Sequence, residues 1–360
     1  MELKKKILMV AGPAQIETEV SNAGSYEMVY NRTDEFSSFL LEVEANLKRL
    51  FFTKNDVYII SSSGTGAMEC AVVNLLSPGD EVLIISSGTF GYRWYEIALK
   101  YNIKCNLLSI PQGIAVKPEE IEARMSTNIK AVFVTANETS SGILIDLERI
   151  ASLIIKHDAV LVVDAVSSLG ADLIKTDEWG CDVVISSSQK ALALPPGISF
   201  ISVSDKAWQL IEKSTTPKFY FDLKSYRDNI TRGQTPFTPA ISLLYQLDIR
   251  LKKIIAEGVE NVIIRHNLKA KYLRNKLQAI GLKVIGERPS NGVTGIYFPE
   301  NVNAYSVIIK LREEYGVEIT PSPGDDKNKI ARIGVYGDVK FSDIDYLIES
   351  LKIILSKYPS

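Results

Sequence analysis

Two ionisable residues stand where an ordinary surface charge would not. Asp164 closes the apolar run Ala159–Val163. Lys190 follows the run Asp182–Ser186, in Ser186-Ser187-Ser188-Gln189-Lys190-Ala191-Leu192, just before Pro195-Pro196-Gly197. A carboxylate at the end of a buried strand needs a partner, because burying it unpaired is costly. The protonated ring nitrogen of a cofactor would be one such partner; a helix cap is the plainer alternative. A lysine hemmed in by hydroxyls and a tight turn is set up for a lowered pKa, and such a lysine is the usual Schiff-base nucleophile. Pairing with a phosphate is the plainer alternative there. A third segment, Ser61-Ser62-Ser63-Gly64-Thr65-Gly66-Ala67-Met68-Glu69, has small residues whose backbone N–H groups can approach an anion at a helix start. Alone it reads equally as a tight turn or as the start of a degenerate dinucleotide fingerprint. The acid and the lysine lie 26 residues apart on successive strands, so the three segments together are more specific than any one.

These residues need a scaffold, and the chain supplies one. Short apolar runs recur at Val57–Ile60, Glu81–Ile85, Asn106–Ile110, Lys130–Thr135, Ala159–Val163, Asp182–Ser186 and Ile198–Val203. Several are too uniformly apolar for a half-wet strand, which predicts a mostly parallel sheet covered on both faces. Amphipathic stretches such as Leu147–Asp158 alternate with them, the pattern of an α/β doubly wound domain. In such sheets ligands sit at the carboxyl ends of the strands, where all three segments fall. Asp34–Phe51 reads as a helix capped by Thr33 or Asp34. Pro239–Gly258 and Val259–Ile280 read as two long helices. The tail adds a strand near Val293–Phe298, a helix Tyr305–Tyr315, a strand Ala331–Val335 and a last helix after Phe341 with a Ser342/Asp345 capping box. The expected division is a large domain, 15–254, and a smaller α+β domain formed by 255–360 with the N-terminal segment 1–14.

Composition removes several classes. With 41 Lys plus Arg against 43 Asp plus Glu, bulk charge recruits neither nucleic acid nor an anionic membrane. Cys70, Cys105 and Cys181 are scattered singly, which argues against disulfides or a zinc site, and Cys105 and Cys181 read as buried thiols. Lys4–Lys6 before Ile7–Val10 is too short for a secretory signal, and no run reaches a membrane span. The expected location is cytoplasmic. Both histidines, His157 and His266, read as solvated helix-surface residues, which counts against Ser-His-Asp hydrolysis and His-based metal catalysis.

At this point the chain resembles the class V aminotransferases of pyridoxal-phosphate fold type I, especially the alanine–glyoxylate and serine–pyruvate branch. The resemblance runs through Gly12-Pro13, Arg32–Phe36, the Ser63–Glu69 loop, Ser87–Trp94, Asn137–Gly142, Val163–Gly170, Ser186–Gly197, Gly233–Pro239 and Ala331–Asp338. It implies pyridoxal 5′-phosphate bound to Lys190, which then carries a proton between substrate and cofactor. Asp164 would keep the pyridine nitrogen protonated, Phe90 and Val166 would cover the two ring faces, and Thr139 would bond near the phenolic oxygen. Ser63, Gly64, Thr65 and Gln189 would cradle the phosphate, joined by Gln234 and Thr238 from the partner subunit of a homodimer. Arg332 would hold the substrate carboxylate, and Gly12 would line the entrance. The implied reaction moves an amino group from a serine- or alanine-type amino acid to pyruvate or glyoxylate by a ping-pong route.

Two departures bear on substrate choice. Asn31-Arg32 stands where many relatives carry His-Arg, and Asn137 where they carry His; both are expected near the substrate mouth. Gln189 and Phe90, at places that hold histidines in cysteine desulfurases, count against that sister group. The segment Ile333–Val339 keeps 2-aminoethylphosphonate–pyruvate transamination as the alternative, with ureidoglycine–glyoxylate transamination a third branch. The rival of another class is a nucleotide-binding dehydrogenase or a non-catalytic sensor built on the Ser61–Glu69 loop.

Overall fold

The computed structural model describes residues 7–358; the Lys4–Lys6 run lies outside them. Seven strands form the central sheet: β1 (Val57–Ile60), β2 (Glu81–Ser86), β3 (Lys104–Ser109), β4 (Ile129–Thr135), β5 (Val160–Asp164), β6 (Val183–Ser187) and β7 (Ser199–Val203). Their order is β3-β2-β4-β5-β6-β7-β1. All the pairings are parallel except those of β7, which runs antiparallel to both β6 and β1. The seven apolar runs are these strands, with ends shifted by a residue or two.

Side chains alternate across the sheet, and both faces are dry. Val57, Ile59, Leu161 and Val163 join one core, while Tyr58, Ile60, Val160 and Val162 join the other. Helix α1 (Asp34–Phe51) covers the first face with Phe36, Leu40, Val43 and Leu47. Thr33 caps it by accepting the Phe36 N–H at 3.1 Å. Helices α2 (Gly64–Leu75) and α3 (Thr89–Lys100) cover the other. Each buried Leu, Ile or Val adds roughly 1.5–3 kcal/mol, so the sheet is held from both sides. This is an α/β protein with a mostly parallel central sheet and helices on both faces.

Helices α4 (Ile241–Glu257) and α5 (Val259–Ala279) lead to a four-stranded antiparallel sheet. Its strands β8 (Lys283–Val284), β9 (Val293–Tyr297), β10 (Thr320–Pro321) and β11 (Ile330–Gly334) lie in the order β8-β9-β11-β10. Helices α6 (Ala304–Tyr315) and α7 (Phe341–Leu355) pack there with Ile296, Ile308, Ile333 and Leu347. The N-terminal Ile7–Leu8 pairs in parallel with Val317–Glu318, and Met9 is buried in the same cluster.

Three expectations are corrected. Asp343, not Asp345, closes the start of α7, accepting the Lys340 N–H at 2.8 Å; Asp345 instead takes the Tyr272 hydroxyl at 2.6 Å. His266 is fully buried, because it falls on the stripe Val259, Val262, His266, Ala270, Leu273 that turns α5 inward. Its Nδ1 lies 2.9 Å from the Val262 carbonyl, and burial pulls its pKa down to about 3. Cys105 is half-buried rather than buried; Cys70 and Cys181 are buried. Among the described residues no helix is long and apolar enough to cross a membrane.

Candidate active site

Parallel alignment brings the carboxyl ends of β1, β2, β4, β5 and β6 to one edge of the sheet, and a cavity of about 120 Å³ opens there. Its wall contains Ser63, Gly64 and Thr65 from the start of α2, and Phe90 from the start of α3. Thr139 follows β4, Asp164 and Val166 end β5, and Gln189 and Lys190 follow β6. Nine sequence-predicted residues therefore meet in one place.

Asp164 is buried and pairs in register with Thr135 of β4 and Ile185 of β6. Its Oδ1 accepts the Val166 N–H at 2.9 Å. Burial pushes its pKa up to about 6, with Glu138 adding to the rise; the Val166 N–H, Lys190 and Arg93 oppose it. Lys190 sits on a turn closed by Ala193 N–H to the Lys190 carbonyl at 2.8 Å and Leu194 N–H to the Ser188 carbonyl at 3.0 Å. Desolvation of its ammonium and the positive charge of Arg332 bring its pKa down to about 8, against the pull of Asp164. Such a lysine gives up its proton near neutrality, as a nucleophile requires.

The anion end is equally particular. Ser63 is the N-cap of α2 but makes no side-chain cap bond, which leaves its hydroxyl and the first-turn N–H groups available to an anion. A side chain at Gly64 would come within 2.8 Å of Val166 and 3.2 Å of Ser187, so the close approach needs glycine. Ser187 Oγ and Gln189 Oε1 are buried without a hydrogen-bond partner.

Gly12 and Arg332 lie outside this wall but against it. A β-carbon at Gly12 would stand 2.5 Å from Lys190 Nζ, and that amine donates to the Ala11 carbonyl. Arg332 gives Nε and Nη2 to the Pro321 carbonyl, at 3.2 and 2.7 Å, and Nη1 to the Thr139 carbonyl at 3.0 Å. Burial lowers its pKa to about 10. Gln234 and Thr238 do not reach the Lys190 cavity of their own chain. Gln234 bonds Arg32 (2.9 Å) and Ser37 (2.5 Å) in a separate cavity of about 850 Å³, and Thr238 is exposed. Asn137, expected near the substrate mouth, is instead wholly buried, its amide bonded to Ser290 Oγ at 2.9 Å. Asn31 is also buried, with Nδ2 unpartnered.

Sequence reasoning gave no role to Arg93 or Glu138. Arg93 lies over the Phe90 ring, 4.8 Å from its centroid, and donates to Thr65 Oγ1 at 3.1 Å. Glu138 is a fully buried acid beside the site. Both belong to quoted motifs, Ser87–Trp94 and Asn137–Gly142; a charge inside an otherwise small or apolar motif was the available signal.

Comparison with known proteins agrees with this geometry. The family model "Aminotransferase class-V" matches residues 7–347. A Synechococcus sp. protein named "Soluble hydrogenase, small subunit" is 36% identical, covering 98% of this chain and 94% of its own. A Methylorubrum extorquens serine–glyoxylate aminotransferase is 33% identical over 92% of this chain and 86% of its own. The crystal structure of a Nostoc sp. alanine–glyoxylate aminotransferase superposes with a TM-score of 0.95 at 29% identity, covering 99% of this chain and 96% of that one. Among the described residues no group of three or more His, Cys, Asp or Glu stands together as metal ligands. The dehydrogenase and sensor readings fall on these matches, since the loop they rest on lies within the aminotransferase family match. A match along nearly the whole length, with relatives at 33% and 36% identity, means that this chain belongs to the class V aminotransferase family and is an aminotransferase.

Proposed function

We propose that the chain moves the amino group of a serine- or alanine-type amino acid to pyruvate or glyoxylate, in two half-reactions, with pyridoxal 5′-phosphate held in the Lys190 cavity. The observation that carries this is the meeting of the Lys190 amine, the buried Asp164 and the Ser63–Thr65 helix start in one small cavity, with burial pushing the lysine pKa down and the aspartate pKa up. The residues present fit that cofactor. Ser187 Oγ is buried and unpartnered, the N-cap hydroxyl of Ser63 is unspent, and Phe90 lines the wall.

When bound, the cofactor supplies an electron sink for the carbanion formed at the substrate Cα. Asp164 would hold a proton on the ring nitrogen, an arrangement that restores a charge partner to a buried carboxylate. Lys190 Nζ would hold the cofactor's carbonyl carbon until the substrate's amino group displaces it, and the freed amine would then carry the proton lost from the substrate Cα. Phe90 and Val166 would confine the ring, while Ser63, Gly64, Thr65 and Gln189 take the phosphate. Thr139 would bond beside the phenolic oxygen. Arg332, already oriented by two backbone carbonyls, would bind the substrate carboxylate, and Gly12 leaves room for Lys190 Nζ to move. Relatives named for serine–glyoxylate and alanine–glyoxylate transfer support the choice of small substrates.

The same reading keeps a homodimer, with Gln234 and Thr238 of the partner subunit completing the phosphate site, and a cytoplasmic location. It also keeps the division into 15–254 and 1–14 with 255–360; the separate cluster around Met9, Ile296 and Leu347 supports that division.

The test is product analysis of each half-reaction. Holoenzyme mixed with L-serine, L-alanine, L-aspartate or 2-aminoethylphosphonate should release the matching oxo product from serine or alanine alone. Release from 2-aminoethylphosphonate alone would move the function to the phosphonate branch.

A further inference from the structure

A second basic cavity lies away from Lys190. Helices α4 and α5 and the turn at Gly337–Phe341 enclose about 390 Å³. Five cationic side chains line it, Arg250, Lys253, Arg265, Lys269 and Lys340, against three acids, Glu17, Glu257 and Asp338. Two of the cations are not surface charges: Arg250 is 4% exposed and Lys269 is 7% exposed.

The acids do not satisfy them all. Glu17 pairs with Arg250 and Lys253, each at 2.7 Å, Glu19 pairs with Lys253 at 2.6 Å, and Glu257 pairs with Arg265 at 2.7 Å. Lys269 donates to the Val339 carbonyl, and among the described residues no carboxylate forms an ion pair with it. Arg250 Nε is buried without a partner. Burial and the guanidinium groups of Arg265 and Arg250 pull the Lys269 pKa down to about 8, against the charges of Asp338 and Asp343. Buried cations are ordinarily paired or neutralised. With Glu19 counted, the cations around this open space outnumber the acids by one; among the described residues Lys269 lacks a carboxylate partner and Arg250 Nε donates to nothing.

We propose that this cavity is a binding site for a phosphate-bearing anion, held by Lys269, Arg250 and Lys340. Guanidinium and ammonium donors suit the tetrahedral oxygens of such a group. The site also touches the segment that contacts Lys190. Glu17 lines it, the Asp338 N–H donates to the Gln15 carbonyl at 3.2 Å, and the Ala14 N–H donates to the Gln189 carbonyl at 2.8 Å.

Calorimetric titration of the holoenzyme tests this, because a filled cofactor site removes the other phosphate-binding place. The titrants are inorganic phosphate and glycerol 3-phosphate, each at matched ionic strength against sodium chloride. Saturable binding is expected, weakened roughly tenfold or more in Lys269→Met and about threefold in exposed Lys340→Ala, with transaminase activity unchanged in both. Tighter binding of glycerol 3-phosphate would identify an organic phosphate as the ligand, and equal binding the free ion. No saturable heat, or the same affinity in Lys340→Ala and in a folded Lys269→Met, would overturn the site.

Discussion

Glu138 fixes the backbone of Phe90. Its carboxylate accepts the Phe90 N–H at 3.1 Å and the Gly91 N–H at 3.0 Å, so an acid from beyond β4 closes the first turn of α3. The same carboxylate takes the Ser140 N–H at 3.1 Å and the Ser140 hydroxyl at 2.6 Å. Next along the chain, the Thr139 carbonyl receives Arg332. One buried acid therefore sets the aromatic wall of the cavity and the loop that aims the guanidinium.

Glu138→Gln turns one accepting oxygen into a donor facing N–H or O–H donors, an arrangement that costs about 1–3 kcal/mol. The variant should fold, with a lowered melting temperature. Cofactor affinity should fall roughly tenfold and substrate KM should rise more than kcat falls, because Phe90 and Arg332 bind rather than react. Equilibrium cofactor titration and steady-state kinetics check this; an unchanged cofactor affinity would remove Glu138 as a positioning residue.

Arg332 and Lys190 are coupled through charge. The guanidinium helps to hold the lysine near 8, so the neutral, nucleophilic amine is present above that pH and lost below it. In cofactor-free protein, the rate of pyridoxal phosphate capture should rise with pH through about 8. Arg332→Met removes a like charge, so the midpoint should move upward. A stopped-flow pH profile gives the answer, and a midpoint that stays put or moves down would contradict the coupling.

Asp172 carries a stability prediction. It is buried, with Oδ1 accepting the Asn291 N–H at 2.9 Å and Oδ2 unpartnered, and burial raises its pKa to about 7. The folded state thus keeps a proton that the unfolded chain has already released. Stability is fullest below the unfolded value of 3.8 and falls as pH rises to about 7. Asp172→Asn stays neutral and keeps the Oδ1 acceptor. Thermal melts should show it about 1–3 kcal/mol more stable than the parent near pH 8, with a smaller gap near pH 5. A gap independent of pH would show that Asp172 is already ionised in the fold.

The seven strands, α1 and the residues that end β5 and follow β6 were legible because apolar runs and punctuating polar residues are local signals. Strand order was not. β7 inserts between β6 and β1, a pairing of residues about 140 positions apart that no local pattern encodes. His266 was misread because its charged neighbours dominated, although its spacing from Val262 and Leu273 marks the buried face of α5. Asn137 was misplaced because motif proximity to a site does not say which way a side chain points. Glu138 was overlooked for a similar reason: its partners are backbone N–H groups, which a sequence does not display.

The most direct test of the central claim is an absorbance spectrum of purified protein beside Lys190→Ala, before and after amino-acid addition. Wild type should show a band at about 410–430 nm that moves toward about 330 nm with serine or alanine. Lys190→Ala should lack the conversion and take up cofactor more weakly. No visible band after pyridoxal phosphate is supplied, or the same band and conversion in Lys190→Ala, would contradict the account.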